Sequence, residues 1–177
     1  ATSALRASGL WLAVMATTGA PRACAASQTP SRSSTRPLLL MITTTSVGRS
    51  TLATALSSGL QRLGESVVAV DLDPQNALRQ HFGVDHELPG LGRSSLLNTP
   101  WQSILQSGFA GCQVIPFGDT DTQQKENLQG WLTREPTWLA QHLSALALSE
   151  ADTVIIDTGD SIIDTKNVDG YVKKVYS

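Results

Sequence analysis

Three short apolar runs, each followed by polar residues, constrain the fold of this 177-residue chain most strongly. The runs cover residues 37–43, 66–71 and 153–157. Continuous apolar runs of this length are typical of strands that are buried on both faces of a parallel sheet. Leucines recur with helical spacing in residues 50–63 and 136–148. Strands that alternate with helices predict an α/β domain with a mainly parallel sheet.

The first polar motif, residues 44–51, lies between a predicted strand and a predicted helix. Phosphate-binding loops occupy this position, because backbone N–H groups and a helix N-terminus together bind an anion. The usual form of such a loop contains a glycine, a lysine and a hydroxyl residue in succession. Here Gly48, Arg49 and Ser50 stand at those positions, and the loop's first glycine is absent. Taken alone, the motif is more typical of an ordinary polar loop.

The other two motifs supply carboxylates. Asp71 and Asp73 end the second run, and Asp157 ends the third. Carboxylates at the ends of parallel strands can hold Mg²⁺ and orient a water molecule. The alternative is that they cap helices or end strands, and Asp73 before Pro74 is typical of a helix N-cap followed by proline. The shared sheet edge favours the metal-facing interpretation.

Composition argues against several other kinds of site. Cys24 and Cys112 are far apart, and the histidines show no metal-ligand spacing, which argues against a disulfide scaffold and a zinc site. A formal net charge of −2 is unfavourable for general nucleic-acid binding. No apolar run approaches the length of a membrane span.

Residues 1–36 differ in composition from the rest of the chain. Six arginines and no acidic residue precede Glu65, and residues 1–36 are also rich in alanine and serine. One interpretation is a targeting peptide, since residues 23–25 resemble a small-residue cleavage site. We predict a disordered leader instead, because this composition buries too little apolar surface to offset chain entropy.

Together, the three motifs resemble those of the ParA/MinD group of P-loop ATPases. The group's KGGVGKTT loop, DxDPQ motif and DTP strand end correspond here to TTSVGRST, DLDPQN and IIDTGD. Within the group, the chain is most similar to the BcsQ family of cellulose-biosynthesis accessory proteins, in residues 63–68, 76–85 and 115–118. The resemblance covers residues 37–160 and implies a P-loop NTPase-like α/β fold with a mainly parallel sheet flanked by helices.

The resemblance also implies a division into three parts. Residues 1–36 form the leader, residues 37–160 a partial P-loop domain, and residues 161–177 a tail of unclear structure. Family members continue well beyond the third motif. We therefore expect a C-terminally truncated chain, a sheet that is incomplete at the C-terminus, and the Asp157 strand at an exposed edge.

The resemblance implies a role for each motif residue. The residues at nucleotide-binding positions are Thr45, Ser46, Val47, Gly48, Arg49, Ser50 and Thr51. Ser50, Asp71 and Asp157 correspond to Mg²⁺-binding residues, and Asp73 to the residue that activates water. Arg49 replaces the phosphate-loop lysine, and Thr44 replaces the lysine that reaches across a dimer, so the loop is degenerate.

ATP and Mg²⁺ are the implied cofactors, with slow hydrolysis or none. The implied assembly is a homodimer that works with the cellulose synthase complex and its cytosolic regulators, without direct contact with nucleic acid. The implied location is cytoplasmic, with recruitment to the inner membrane or a cell pole. Three alternatives remain open: a non-catalytic scaffold, a ParA-like partition ATPase that acts on DNA, and a truncated inactive product.

Overall fold

A single sheet organises the computed structural model, which describes residues 3–7, 10–15, 38–44, 48–135, 137–148 and 152–158. Its strands are β1 (Ser3–Ala7), β2 (Leu10–Met15), β3 (Leu38–Thr44), β4 (Ser66–Asp71), β5 (Gln106–Ser107), β6 (Gln113–Ile115) and β7 (Asp152–Asp157). Their order across the sheet is β1-β2-β3-β7-β4-β6-β5. The four strands β3, β7, β4 and β6 run parallel, which confirms the predicted mainly parallel sheet.

Helices connect β3 to β4, β4 to β5 and β6 to β7. They are α1 (Arg49–Arg62), α2 (Leu78–Phe82), α3 (Leu91–Leu96), α4 (Thr122–Arg134) and α5 (Trp138–Ser144). α1 ends as predicted, because Gly64 adopts a φ of 87° and its N–H donates to the carbonyl of Gln61. α4 begins with a capping box, in which Asp121 and Gln124 each accept the other's backbone N–H. None of the described helices is long and apolar enough to cross a membrane.

The sheet is covered by an apolar layer on each face. Val67 and Ala69 of β4 belong to the layer that includes Ala53 of α1, while Val68 and Val70 belong to the opposite layer. Alternate residues of a strand point to opposite faces of the sheet. The apolar runs of β4 and β7 are therefore continuous because both faces of these two strands are buried.

The expectation that the Asp157 strand lies at an exposed edge is wrong. β7 lies between β3 and β4, where Asp157 is the register partner of Ile42 on one side and of Asp71 on the other. The edge expectation followed from the truncation after Asp157 that the resemblance implied. Strand order in a parallel sheet is set instead by the crossover connections, which insert the later strand between two earlier ones.

Part of the predicted leader is also organised differently from the expectation of disorder. β1 and β2 form an antiparallel pair, and β2 pairs with β3 over residues 39–44. This pairing satisfies backbone groups that β3 would otherwise leave open, a contribution that composition alone does not reveal. The other residues of 1–36 and all of 161–177 lie outside the described part of the chain, and the three-part division stays a prediction.

The expectation that Asp73 and Pro74 begin a helix is wrong. Residues 74–75 form a turn, and α2 begins only at Leu78. The side-chain carboxylate of Asp73 accepts the N–H of Gln75 at 3.0 Å, and the backbone carbonyl of Asp73 accepts the N–H of Asn76 at 2.8 Å. Asn76 has a φ of 54°, a left-handed conformation that asparagine tolerates and that interrupts a helix.

Candidate functional site

The three carboxylates of the sequence motifs meet at the carboxyl edge of the parallel strands. Asp71 ends β4 and Asp157 ends β7, and the two are directly paired in the register of these strands. α1 begins at Arg49, a few residues after the end of β3. Because β3, β4 and β7 run in the same direction, their polar ends share one edge, where ligands of open α/β sheets bind.

Ser50 and Asp157 form the central contact of this edge. The Ser50 hydroxyl donates to Oδ2 of Asp157 at 2.6 Å, across 107 residues of sequence. Asp157 is fully buried, yet its Oδ1 has no hydrogen-bond partner among the described residues. Burial raises the pKa of this carboxyl, and the charge of Asp73 adds to the rise, while the Ser50 hydrogen bond and the Arg49 charge oppose it. A buried carboxylate with an unused oxygen is costly unless a ligand completes it.

Asp71 is tied to the backbone that follows it. It is fully buried; its Oδ1 accepts the N–H of Asp73 at 2.9 Å and its Oδ2 accepts the N–H of Leu78 at 3.1 Å. Burial raises the pKa of Asp71 well above its ordinary value; the two backbone hydrogen bonds oppose this rise, and the charges of Asp157 and Asp73 add to it. Asp71 therefore holds the β4–α2 turn and the start of α2 in place, and offers only its remaining lone pairs to a ligand.

Asp73 faces the first residue of α1. An oxygen of its carboxylate lies 3.8 Å from a terminal nitrogen of Arg49, and both side chains are mostly buried, with 13% and 14% of their surface exposed. Gly48 precedes Arg49 with a φ of 108°, which glycine adopts at little cost. The exposed Thr51 follows in the first turn, while Thr45, Ser46 and Val47 lie outside the described residues.

The residues present fit a hydrated Mg²⁺ ion. The described residues contain no group of three or more histidine, cysteine or acidic side chains that could hold a metal by themselves. Mg²⁺ in nucleotide sites, however, keeps several waters and is held by one or two carboxylates and substrate phosphates. The unpartnered Oδ1 of Asp157, beside the Ser50 hydroxyl, is a donor set of that kind.

Two further residues organise the edge, although the sequence motifs gave them no role. Thr158 donates its hydroxyl to the carbonyl of Ile42 at 2.9 Å, and so ties the end of β7 to β3 just before the first loop. Asn76 accepts the N–H of Gly118 at 3.1 Å and connects the β4–α2 turn to the segment after β6. The signal for both was their position beside the predicted aspartates, but their partners are distant in sequence.

Comparison with known proteins identifies the family. The family model described as "Cellulose biosynthesis protein BcsQ" matches residues 38–169. The Cellulose biosynthesis protein BcsQ of Escherichia coli K12 is 37% identical over 89 residues, which cover 50% of this chain and 36% of that protein. Its counterpart from Salmonella typhimurium is 38% identical over 87 residues, or 48% of this chain and 34% of that protein. The matched segment thus spans about a third of these relatives.

Solved structures show the same fold. A plasmid partition protein from Borrelia burgdorferi has a TM-score of 0.59 and 18% identity, over 78% of this chain and 61% of that one. Cobyrinic acid a,c-diamide synthase from Mycobacterium smegmatis, crystallised with ADP and magnesium, has a TM-score of 0.54 and 23% identity, over 64% of this chain and 46% of that one. The fold is that of ParA/MinD-type P-loop NTPases. With three quarters of its residues matched by the family model, this chain belongs to the BcsQ family of cellulose biosynthesis proteins.

Proposed function

We propose that this protein is a nucleotide-binding switch of the ParA/MinD type that supports bacterial cellulose biosynthesis and binds ATP with Mg²⁺. The observation that carries the proposal is the contact between Ser50 and the buried Asp157, whose second oxygen has no partner among the described residues. A purely structural carboxylate would be expected to have both oxygens satisfied. The unused oxygen at the start of a helix supports a site that a hydrated cation completes.

The first loop would hold the phosphates. Its proposed contacts are Thr45, Ser46, Val47, Gly48, Arg49, Ser50 and Thr51. The N–H groups in the first turn of a helix point along its axis towards the N-terminal end and are suited to an anion. Arg49 supplies a positive charge at the same place. Ser50, Asp71 and Asp157 would hold Mg²⁺, which supplies neutralisation of the phosphate charge when it is bound.

Hydrolysis is proposed to be slow or absent. Asp73 is the proposed water-orienting residue, but its carboxylate lies 3.8 Å from the guanidinium of Arg49 and accepts the N–H of Gln75. While this contact persists, the carboxylate is a poorer acceptor for a proton of water, so hydrolysis has to wait until the contact breaks. Arg49 also differs from the lysine of the family's loop, because a planar guanidinium does not reproduce the contacts of a compact ammonium group.

The proposed assembly is a homodimer that acts on the cellulose synthase complex and its cytosolic regulators, by analogy with the family. The proposed location is the cytoplasm, with recruitment to the inner membrane or a cell pole. Dimer formation that depends on ATP would link the site to this partner binding. Light scattering of the full chain with and without ATP and Mg²⁺ tests this link.

The alternative is a non-catalytic scaffold, and the contact between Arg49 and Asp73 is the observation that favours it. Two opposite charges that pair within the site reduce the demand for a bound anion. A scaffold would keep the fold and partner surface without binding nucleotide. The two functions therefore differ in a single measurable property, the affinity for ATP in the presence of Mg²⁺.

The test is calorimetric titration of the full chain with ATP in the presence of Mg²⁺. The informative variant is Ser50→Ala, which removes the hydroxyl that contacts Asp157. The matched control is Ser58→Ala, two turns further along α1, where the hydroxyl donates to the backbone carbonyls of Thr54 and Ala55 within the same helix. We expect Ser50→Ala to weaken binding roughly tenfold or more, the loss of about one charge-assisted contact.

The control variant should bind ATP like the unmodified chain. Saturable binding that Ser50→Ala reduces and Ser58→Ala preserves supports the switch. No binding by the folded, unmodified chain contradicts the switch and favours the scaffold. Equal binding by all three proteins would mean that ATP binds elsewhere.

A further inference from the structure

The ion pair between Arg49 and Asp73 joins the two loops of the candidate site. Arg49 is the first residue of α1, and Asp73 lies in the turn that connects β4 to α2. Their nearest charged atoms are 3.8 Å apart, which is longer than a hydrogen bond but within the range of an ion pair between mostly buried groups.

The position of Arg49 is unfavourable without an anion nearby. The N-terminus of a helix carries a partial positive charge, so a cation in its first turn is repelled. The carboxylate of Asp73 offsets this repulsion, and the Arg49 charge also acts on Asp157. Phosphates at the start of α1 would offer the same guanidinium a larger negative charge and bidentate contacts.

We propose that nucleotide binding exchanges the partner of Arg49, from the carboxylate of Asp73 to the phosphates, and thereby frees Asp73. This inference rests on the proposed function and names how the same site is regulated. While the ion pair is formed, Asp73 is a positioning residue for Arg49. In the occupied site, it is available to orient water or to change the conformation of its turn.

Backbone hydrogen bonds connect Asp73 to the start of α2, so the proposed exchange can affect that helix. The N–H of Asp73 donates to Asp71, and the carbonyl of Asp73 accepts the N–H of Asn76. Asp71 in turn holds the N–H of Leu78, with which α2 begins. Release of the Asp73 side chain therefore acts on a turn whose backbone is directly tied to α2.

A double-mutant cycle on ATP affinity tests the exchange in the full chain. The variants are Asp73→Asn, Arg49→Gln and the double variant, each titrated with ATP and Mg²⁺ by calorimetry. Asparagine keeps an oxygen for the N–H of Gln75, so the turn can persist. Asp85→Asn is the matched control, because Asp85 is exposed and makes the same type of contact, with the N–H of Glu87 at 2.9 Å.

The proposed exchange predicts that Asp73→Asn changes the affinity for ATP by different amounts when residue 49 is Arg and when it is Gln. With Arg49 present, Asp73→Asn removes both the competing ion pair and the repulsion of phosphate, and should tighten binding by roughly two- to tenfold. With Gln at position 49, only the repulsion remains to be removed, so the gain should be clearly smaller. Asp85→Asn should leave the affinity unchanged.

Equal gains in the two backgrounds would overturn the exchange, since they would show that Arg49 keeps its partner when ATP binds. An absence of binding by the unmodified chain would overturn the proposed function itself. NMR of the arginine side chains in the unmodified chain gives a second measurement that needs no variant to fold. The Arg49 resonance should move on ATP addition, and an unmoved resonance at saturating ATP would contradict the exchange.

Discussion

Two buried polar clusters in this protein differ in how their polar atoms are satisfied. At the carboxyl edge of the sheet, one oxygen of Asp157 accepts a hydrogen bond from the Ser50 hydroxyl. The other oxygen has no hydrogen-bond partner among the described residues. Beneath α3 and α5, the indole N–H of Trp101 donates to Ser95, whose hydroxyl donates to the carbonyl of Leu91. The first cluster contains charges that are incompletely paired, whereas the second is a neutral chain of hydrogen bonds.

The second cluster is called the aromatic cluster here because the rings of Trp101, Trp138 and His142 pack together in it. Its polar groups are neutral and contribute to stability. Trp101 stacks on His142 with ring centroids 4.6 Å apart and meets Trp138 edge to face at 5.4 Å. The indole nitrogen of Trp138 has no partner within the described part of the chain, but it is neutral. Burying an unpaired carboxylate costs more free energy than burying an unpaired indole N–H. This difference indicates that the aromatic cluster stabilises the fold, whereas the cluster at the carboxyl edge binds a ligand.

The largest effect should come from truncating the aromatic cluster. Trp101 is 1% exposed, so Trp101→Ala should lower the free energy of unfolding by about 3–5 kcal/mol through lost burial and a cavity. The measurement is urea denaturation of the full chain. Trp131→Ala is the matched control, since Trp131 is 36% exposed, and should cost clearly less. Equal losses would contradict the assignment of this cluster as a core anchor.

Sequence patterns predicted β3, β4 and β7 and the shared edge of the site because these depend on local properties. The apolar runs that end in Asp71 and Asp157 reveal buried strands, and parallel strands place their ends together. The position of β7 between β3 and β4 could not be predicted in this way, because strand order depends on contacts that are distant in sequence. The truncation that the resemblance implied led instead to the wrong expectation of an exposed edge.

The turn after β4 shows a second limit. Asp73 and Pro74 have the local chemistry of a helix start, but the turn is decided by Asn76 in a left-handed conformation and by its bond to Gly118. That bond spans 42 residues and has no signature in the local sequence. The pairing of Asp73 with Arg49 likewise follows from the meeting of two loops at the sheet edge.

A substitution of Asp157 should have an effect of intermediate size. It should preserve or raise stability and, at the same time, weaken ATP binding. Asp157→Asn removes a buried charge that is incompletely paired, so stability to urea should be unchanged or increase by up to about 1 kcal/mol. The same change should weaken binding of ATP with Mg²⁺ by roughly tenfold or more, because the charge that faces the cation is lost. A variant that loses stability by several kcal/mol and still binds ATP would reverse the assigned roles of the two clusters.

The smallest effect concerns pH. Burial lowers the pKa of His142 from 6.5, so the folded protein resists protonation that the unfolded chain accepts. This contribution to stability is complete above pH 6.5 and is lost as the pH falls through the lower pKa of the folded state. The raised pKa values of Asp71 and Asp157 change the free energy of unfolding in the opposite direction. The stability linked to these two carboxyls is complete below pH 3.8 and is lost as the pH rises through their higher pKa values in the folded state.

Comparison of variants separates the histidine from the carboxylates. His142→Gln should reduce the loss of urea stability below pH 6.5, while His86→Gln, at an exposed position, should follow the unmodified chain. The measurement is the urea midpoint as a function of pH for the three proteins. Parallel pH profiles for all three would contradict the role of His142 in the buried aromatic cluster.

Amide hydrogen exchange of the full chain, with and without ATP and Mg²⁺, tests the contrast between the two clusters most directly. Nucleotide is expected to slow exchange at the start of α1 and in residues 71–78, because these backbone groups would surround the phosphates and the cation. No comparable change is expected in residues 95–104 or 138–144, which contain the aromatic cluster. Protection that appears in the aromatic cluster, or nowhere at saturating ATP, would contradict the assignment of the carboxyl edge as the nucleotide site.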